Sequence, residues 1–299
     1  MKLSVILVAY DMAREIPRSL QSLARNFQLG SQDLDYEVLV VDNGSPTPLD
    51  PATFPDIGAD VILEYVENAS PSPASAINNA AQRARGDVIC LMIDGAHMLT
   101  PGVFQLAMAA DRAFDEAVVA TRYFFMGPDE QNRSIARGYD KATEDTLLKD
   151  IKWPEDGYRL FEVGTPFRAG AKNITWFNKM FESNCIFLSR ALFDKLGGCD
   201  EKFDLPGGGF LNLDLYKRAA DAAGTTPVQL VGEGSFHQLH GGTTTNVSMD
   251  QRKAQTDKYR QQYLEIRNTD ALMTDKNVHF LGHLPTQASK IHLKNDGGG

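Results

Sequence analysis

Apolar residues fall in short unbroken runs separated by polar, turn-forming stretches. Residues 3–10 (LSVILVAY) form a continuous run rich in β-branched side chains, the pattern of a strand buried on both faces. Pro17 stands near the start of a helical segment ending about Phe27, with Ile16, Leu20, Leu23 and Ala24 on one face. A second buried strand at 37–41 (EVLVV) stops at the dense turn signal DNGSPTP. A third strand is predicted at 61–66, then a small-residue helix over 75–85 ended by Gly86. The fourth strand, 87–93 (DVICLMI), runs directly into Asp94, Gly95, Ala96 and His97. A helix at 103–116 leads to a strand at 117–125, and 126–180 is polar and irregular. Beyond it the pattern predicts a strand at 185–189 and a short helix at 190–196 closing on Gly197 and Gly198. A glycine cluster at 207–209, a helix at 211–223, a strand near 228–231, a polar helix at 249–268 and a loose tail beyond 285 complete the reading.

Strands alternating with helices imply right-handed crossovers and a mostly parallel sheet. Ligands of such sheets bind beyond the carboxyl ends of the strands. Tyr10, Asp42 and Asp94 all fall at those ends, so three strand termini are expected to converge on one crevice. The long non-periodic stretch 126–180 has the character of binding loops or a lid.

Composition narrows the partners. With 299 residues, 42% of them hydrophobic and 23% charged, the chain can bury a real core as one large domain or two small ones. The net charge is −9 and no basic block occurs, which excludes nucleic acid, whose phosphates require clustered Lys and Arg. A negative protein can still hold a nucleoside diphosphate if a metal ion supplies the local positive charge. Cys90, Cys185 and Cys199 lie in apolar runs without ligand spacing and read as reduced, buried side chains. The opening MKLSVILVAY is interrupted too soon by Asp11 and Arg14 for a signal peptide, and no apolar stretch is long enough to cross a bilayer. The expectation is a cytoplasmic protein without a transmembrane segment.

Several motifs then occur in a telling order: VILVAYDM, VVDNGSPT, Asn78 followed by ARGDVICLMIDGAHMLTPG, and GGCDEKF. Together they resemble the family 2 glycosyltransferases. The resemblance implies an α/β fold of GT-A type, with a mostly parallel central sheet flanked by helices. It implies a glycosyltransferase domain over 1–248, with a nucleotide-sugar half at 1–102 and an acceptor and catalytic half at 103–248, followed by a C-terminal helix and tail over 249–299. The implied reaction moves a sugar from a nucleoside diphosphate donor, UDP-sugar favoured, to a hydroxyl on a glycan, lipid carrier or small molecule. Oligomeric state stays open, a homo-oligomer included.

The resemblance assigns donor contacts to Ala9, Tyr10, Asp42, Asn43, Asn78, Asp94 and Gly95. Asp42 could equally start the turn as an Asx residue, and Asn78 could lie on a solvated helix face. The family's Arg before Asn78 and Gly after it are here Ile77 and Ala80. Asp94 takes the first acidic position of the metal-binding DxD motif, but Ala96 replaces the second. His97 follows, so the site resembles the DxH variant of polypeptide N-acetylgalactosaminyltransferases with one extra residue. His237 and His240, packed into FHQLHGG, are further candidate metal ligands, His240 fitting the family position better. Imidazole with carboxylate suits Mn²⁺ better than Mg²⁺. At the acidic pair expected before the catalytic helix stand Leu211 and Asn212, leaving Asp214. Neutral Asn212 cannot take a proton, so the base is Asp214 or Glu182, or none is used; Asp214 could instead pair with Arg218 four positions on. NLDLYKR also resembles a segment of retaining transferases, and the anomeric outcome is left open. Ala96, Ile77 and Asn212 keep a second reading in play, a catalytically silent nucleotide-sugar-binding module. A dehydrogenase is disfavoured because no GxGxxG follows the first strand.

Overall fold

The architecture is that of a computed structural model describing residues 1–168, 171 and 174–289. The buried apolar runs supply its frame. β1 (Leu3–Ala9) is buried at every position and is followed by α1 (Ile16–Ser22) and by β2 (Tyr36–Asp42), equally buried. β3 (Asp60–Tyr65) has an alternating, half-exposed pattern, as an edge strand should. α2 (Ala74–Arg83), β4 (Val88–Met92), the short β5 (His97–Leu99), α3 (Val103–Ala113) and the ten-residue β6 (Ala117–Met126) follow.

The stretch 126–180 is more ordered than its polar sequence predicts. It holds α4 (Gln131–Ala136), α5 (Lys141–Asp150), α6 (Leu160–Val163) and β7 (Gly164–Pro166). α5 starts on Asp140, whose side chain accepts from Thr143 N, a stop-and-start signal independent of hydrophobic period. Then come β8 (Cys185–Ser189), α7 (Arg190–Lys195), α8 (Leu211–Asp221) and β9 (Thr226–His237). The chain ends in α9 (Met249–Arg267), opened by a capping box of Ser248 and Gln251, then β10 (His279–Gly282) and α10 (Thr286–Ser289). Residues 286–289, expected in a loose tail, are helical, and the rest of that expected tail lies outside the described residues.

The main path of the sheet runs β10-β9-β6-β8-β4-β1-β2-β3. β3, β2, β1 and β4 are mutually parallel, as are β6, β9 and β10. β8 is antiparallel to both its neighbours, β4 and β6, while β5 and β7 run antiparallel to β9 and β6. The sheet is thus mixed: two parallel blocks joined by one reversed strand. That reversal pairs Cys185 with Met92, so residues 182–184 emerge at the edge where β4 ends.

β1 shows how the sheet is sandwiched. Val5 and Leu7 join one apolar cluster with Leu20 and Phe104, whereas Ile6 and Val8 join another with Ile77 and Leu215. The period of two thus places helices on both faces. A third cluster under the irregular stretch gathers Phe124, Phe161, Trp176 and Phe236, with the rings of Phe124 and Phe236 stacked 4.8 Å apart. Each such buried aromatic contributes roughly 1.5–3 kcal/mol by removal from water. β9 is much longer than the 228–231 run predicts, because buried Gln229, Glu233, Ser235 and His237 interrupt its apolar signal. β10 pairs with β9, so the segment after 248 adds a strand to the same sheet. Among the described residues no helix is long and apolar enough to cross a membrane.

Candidate active site

The carboxyl ends of β1 and β4 open onto a cleft of about 1190 Å³. Ala9 and Tyr10 line it, Tyr10 with 55% of its surface free to stack on a flat ligand. Asn43 lines it too; its backbone donates to Ala9 O at 2.8 Å and its Nδ2 to Ser70 O at 3.0 Å. Asp42 does not. It is fully buried, and its two carboxylate oxygens accept from Ser45 N and Leu49 N, both at 2.9 Å. The turn-starting role has taken both oxygens, so Asp42 shapes the loop that presents Asn43.

Asp94 stands at the centre. Its Oδ2 is 3.1 Å from His237 Nε2 and 3.1 Å from His240 Nε2, and the two nitrogens are 2.9 Å apart. Gly95 makes this position reachable: its N–H donates to Val8 O at 2.7 Å, and a Cβ there would lie 2.3 Å from that oxygen. Gly95 does not line the cleft; it lets the chain fold over β1 and present Asp94. The antiparallel pairing of β5 with β9 sets His97 opposite His237. His97 is not part of the triangle: its ring packs 4.9 Å from Tyr123 and 5.0 Å from His237. Burial, reinforced by His237, pushes its pKa down to about 3, leaving a neutral supporting ring.

The triangle is suited to a divalent cation. Gln131 Oε1 sits 2.8 Å from His237 Nδ1, which puts the proton of a neutral ring there and leaves the Nε2 lone pair facing Asp94. Lone pairs and a carboxylate converging on one point need a positive charge between them. Burial by itself would raise the Asp94 carboxyl, but His240 and His237 outweigh it and hold it well below the usual range. Burial works against protonated His240, and Asp94 more than offsets this, raising it. Among the described residues, Asp94, His237 and His240 are the cluster of three able to hold a metal.

The sequence model described as glycosyl transferase family 2 matches residues 4–197, well over half of the chain. The chain belongs to glycosyl transferase family 2. Among solved structures, S. aureus TarS 1–349 in complex with UDP-GlcNAc is similar at a TM-score of 0.52 and 17% identity, covering 88% of this chain and 67% of that one. The same protein in complex with UDP gives 0.51 and 14%, covering 90% and 73%. At such identity the likeness speaks for the fold, which is GT-A. Among curated proteins no sequence matches.

In this glycosyltransferase the carboxylates of the cleft are Asp94, Glu130 and Glu182. Glu130 is paired with Arg252 at 2.8 Å, and Asp94 belongs to the triangle. Glu182 has a different neighbourhood: Asn212 Nδ2 donates to its Oε2 at 2.9 Å. Burial raises its carboxyl to about 7, although the Asn212 bond pulls the other way. Asp214, a catalytic candidate in the sequence, does not line the cleft. It is 1% exposed, and its oxygens accept from Arg218 Nε at 2.7 Å and from Arg267 Nε and Nη2 at 2.5 and 2.9 Å. Asn78, given to the donor by the resemblance, also lies outside the lining of the cleft. Its Nδ2 donates to Cys199 O and Glu201 Oε1, and its Oδ1 accepts from Cys199 N, fastening α2 to the turn after α7 rather than facing the main cleft.

Several functional side chains carry no local sequence signal. Gln131 orients His237 from 106 residues away. Glu144, fully buried, accepts from Leu239 N at 2.8 Å and from Tyr139 Oη at 3.2 Å, while Arg14 Nη1 donates to Leu239 O at 3.3 Å. Arg14 Nη2 and Glu144 Oε1 close this clamp at 3.0 Å. Leu239 lies between His237 and His240, so the clamp fixes the backbone that carries two corners of the triangle.

Proposed function

We propose that the protein transfers a sugar from a UDP-sugar to a hydroxyl acceptor, with Glu182 as general base and Asp94, His237 and His240 holding a divalent metal. One observation carries the reading: the triangle of ligand atoms and a carboxyl with a pKa raised to about 7 share a single cleft. The complexes of TarS with UDP and UDP-GlcNAc support the choice of nucleotide. Tyr10, Ala9 and Asn43 then receive the nucleoside, at the ends of β1 and β2. The bound cation would offset the charge that develops on the departing diphosphate. The mixed nitrogen and oxygen donors favour Mn²⁺ over Mg²⁺.

Glu182 takes the proton of the acceptor hydroxyl as that oxygen bonds to the sugar C1 and the C1–O bond to the diphosphate breaks, releasing UDP. A group poised near neutrality suits this task, and Asn212 fixes the carboxylate by donating to the oxygen it faces. Asn212 is thus a positioning residue. The donor half corresponds to 1–102 and the acceptor half to 103–248, and a cytoplasmic site of action belongs to the same reading.

The test is UDP release over a panel of UDP-sugars, with Mn²⁺, with Mg²⁺ and after EDTA. Release is expected with metal and is expected to vanish in EDTA and in His240→Ala. Activity surviving both would overturn the metal role. UDP binding by calorimetry without release from any donor would favour the silent binding module.

A further inference from the structure

The cleft is larger than the roughly 300–1,000 Å³ of a pocket for one small ligand. Part of its lining carries a different chemistry. α9 turns Arg252, Thr256 and Arg260 into the cleft, at the four-residue spacing that keeps side chains on one helix face. α4 contributes Arg133, three positions after Glu130, and the Glu130–Arg252 pair at 2.8 Å ties the two helices together. Arg252 is neutralised by that pair. Arg133 and Arg260 have no ion-pair partner among the described residues, in a chain whose net charge is −9. Both are exposed, so they face the cleft as free cations. A guanidinium is a planar fork of donors that matches phosphate oxygens in pairs and stays charged at every working pH. Arg252 and Arg260 lie beyond the 4–197 stretch matched by the family model.

We propose that this wall, Arg133 and Arg260 flanking the Arg252–Glu130 pair, is the acceptor subsite and selects a hydroxyl acceptor that bears a phosphate group. This rests on the UDP-sugar reading above and deepens it by naming the acceptor class. The donor diphosphate has its own source of counter-charge at the Asp94, His237 and His240 triangle, at the ends of β4 and β9. Arg133 and Arg260 stand on α4 and α9, elements that carry none of the triangle's three ligand atoms, and line the same cleft as Glu182.

The test is calorimetry on the full chain saturated with Mn²⁺ and UDP, titrated with sn-glycerol 3-phosphate, with glycerol as the neutral control. Saturation with UDP removes the donor site as a binder. Saturable binding of glycerol 3-phosphate and none of glycerol is expected. The double variant Arg133→Gln, Arg260→Gln should weaken that binding by about tenfold or more while UDP affinity stays within about twofold. Absence of glycerol 3-phosphate binding in the unaltered protein, or equal binding in the variant, overturns the proposal. A parallel loss of UDP affinity in the variant also overturns it, because the arginines would then serve the donor diphosphate. Failure of the unaltered protein to bind UDP is a separate result, and refutes the donor reading instead.

Discussion

Replacing Glu144 by Gln tests whether the Leu239 clamp governs the metal site. Glu144 is fully buried and receives three donors, Leu239 N at 2.8 Å, Arg14 Nη2 at 3.0 Å and Tyr139 Oη at 3.2 Å. Glutamine offers one oxygen and one NH₂ group. If the oxygen keeps Leu239, the NH₂ meets the Arg14 guanidinium; if it turns to Arg14, the NH₂ meets the Leu239 N–H. Either way a donor faces a donor. Arg14 keeps Glu15 at 2.8 Å and Asp145 at 2.7 Å, so no charge is left alone. The expected cost is therefore that of a lost charge-assisted hydrogen bond, about 1.5–3 kcal/mol, below the 3–5 kcal/mol of an orphaned buried charge. For a chain of this size that is a drop in Tm of roughly 3–6 °C. The distinguishing readout is Mn²⁺ affinity, followed by electron paramagnetic resonance of the free ion. Because the clamp sets the backbone between His237 and His240, affinity should fall about 10–100-fold. Asp145→Asn, altering the half-exposed partner of Arg14, is the control and should leave Mn²⁺ affinity unchanged. A Glu144→Gln protein that loses stability but binds Mn²⁺ as tightly as before refutes the positioning role.

Glu182→Gln should lower transfer by about 10²–10⁴-fold with UDP affinity unchanged. In the unaltered protein kcat/KM should rise with pH through about 7, the raised pKa of Glu182, and that limb should disappear in the variant. The same group links to folding: from its ordinary 4.5 up to about 7 the native state keeps a proton that the unfolded chain has released. Its contribution therefore makes stability fall as pH rises across that window, and Glu182→Gln should narrow the difference between urea midpoints at pH 5 and pH 8. Gly95→Ala places a methyl 2.3 Å from Val8 O, and should cost about 1–3 kcal/mol in urea unfolding; a neutral result would show that β1 yields there. Asp214→Asn should reduce Tm while activity per folded molecule persists, and a kinetic loss at unchanged Tm would return Asp214 to catalysis.

The legible parts of the fold were those with an unambiguous period. β1, β2, β4 and β6 bury nearly continuous apolar runs, and the ends of the first three at Tyr10, Asp42 and Asp94 could be placed from the pattern alone. β9 was read short because its buried polar residues point to partners distant in sequence: Glu233 accepts from Thr100 Oγ1 at 2.5 Å, and His237 faces Asp94. Asp214 and Glu182 could not be separated from sequence. What distinguishes their surroundings is Arg267, 53 positions from Asp214, and Asn212, 30 positions from Glu182. Asn78 misled for the opposite reason: its partners at Cys199 and Glu201 lie within the GGCDE turn that itself helped suggest the family. A motif can thus mark a family through packing, without each of its residues touching a ligand.

The reversed strand has a consequence for where the molecule can give way. β8 lies between β4 and β6 and is bonded on both edges, so freeing it means opening two ladders at once. α9 is anchored differently: Tyr259 and Tyr263 are its buried residues, and the rest of its surface is partly or wholly solvated. Amide exchange should accordingly be slow in β8 and much faster along α9. On the proposed reading, the base stands beside a strand clamped on both edges, and the acceptor wall on a helix held by two buried side chains. Such a division would concentrate rigidity where atoms must be placed, and compliance where partners of differing shape must be admitted.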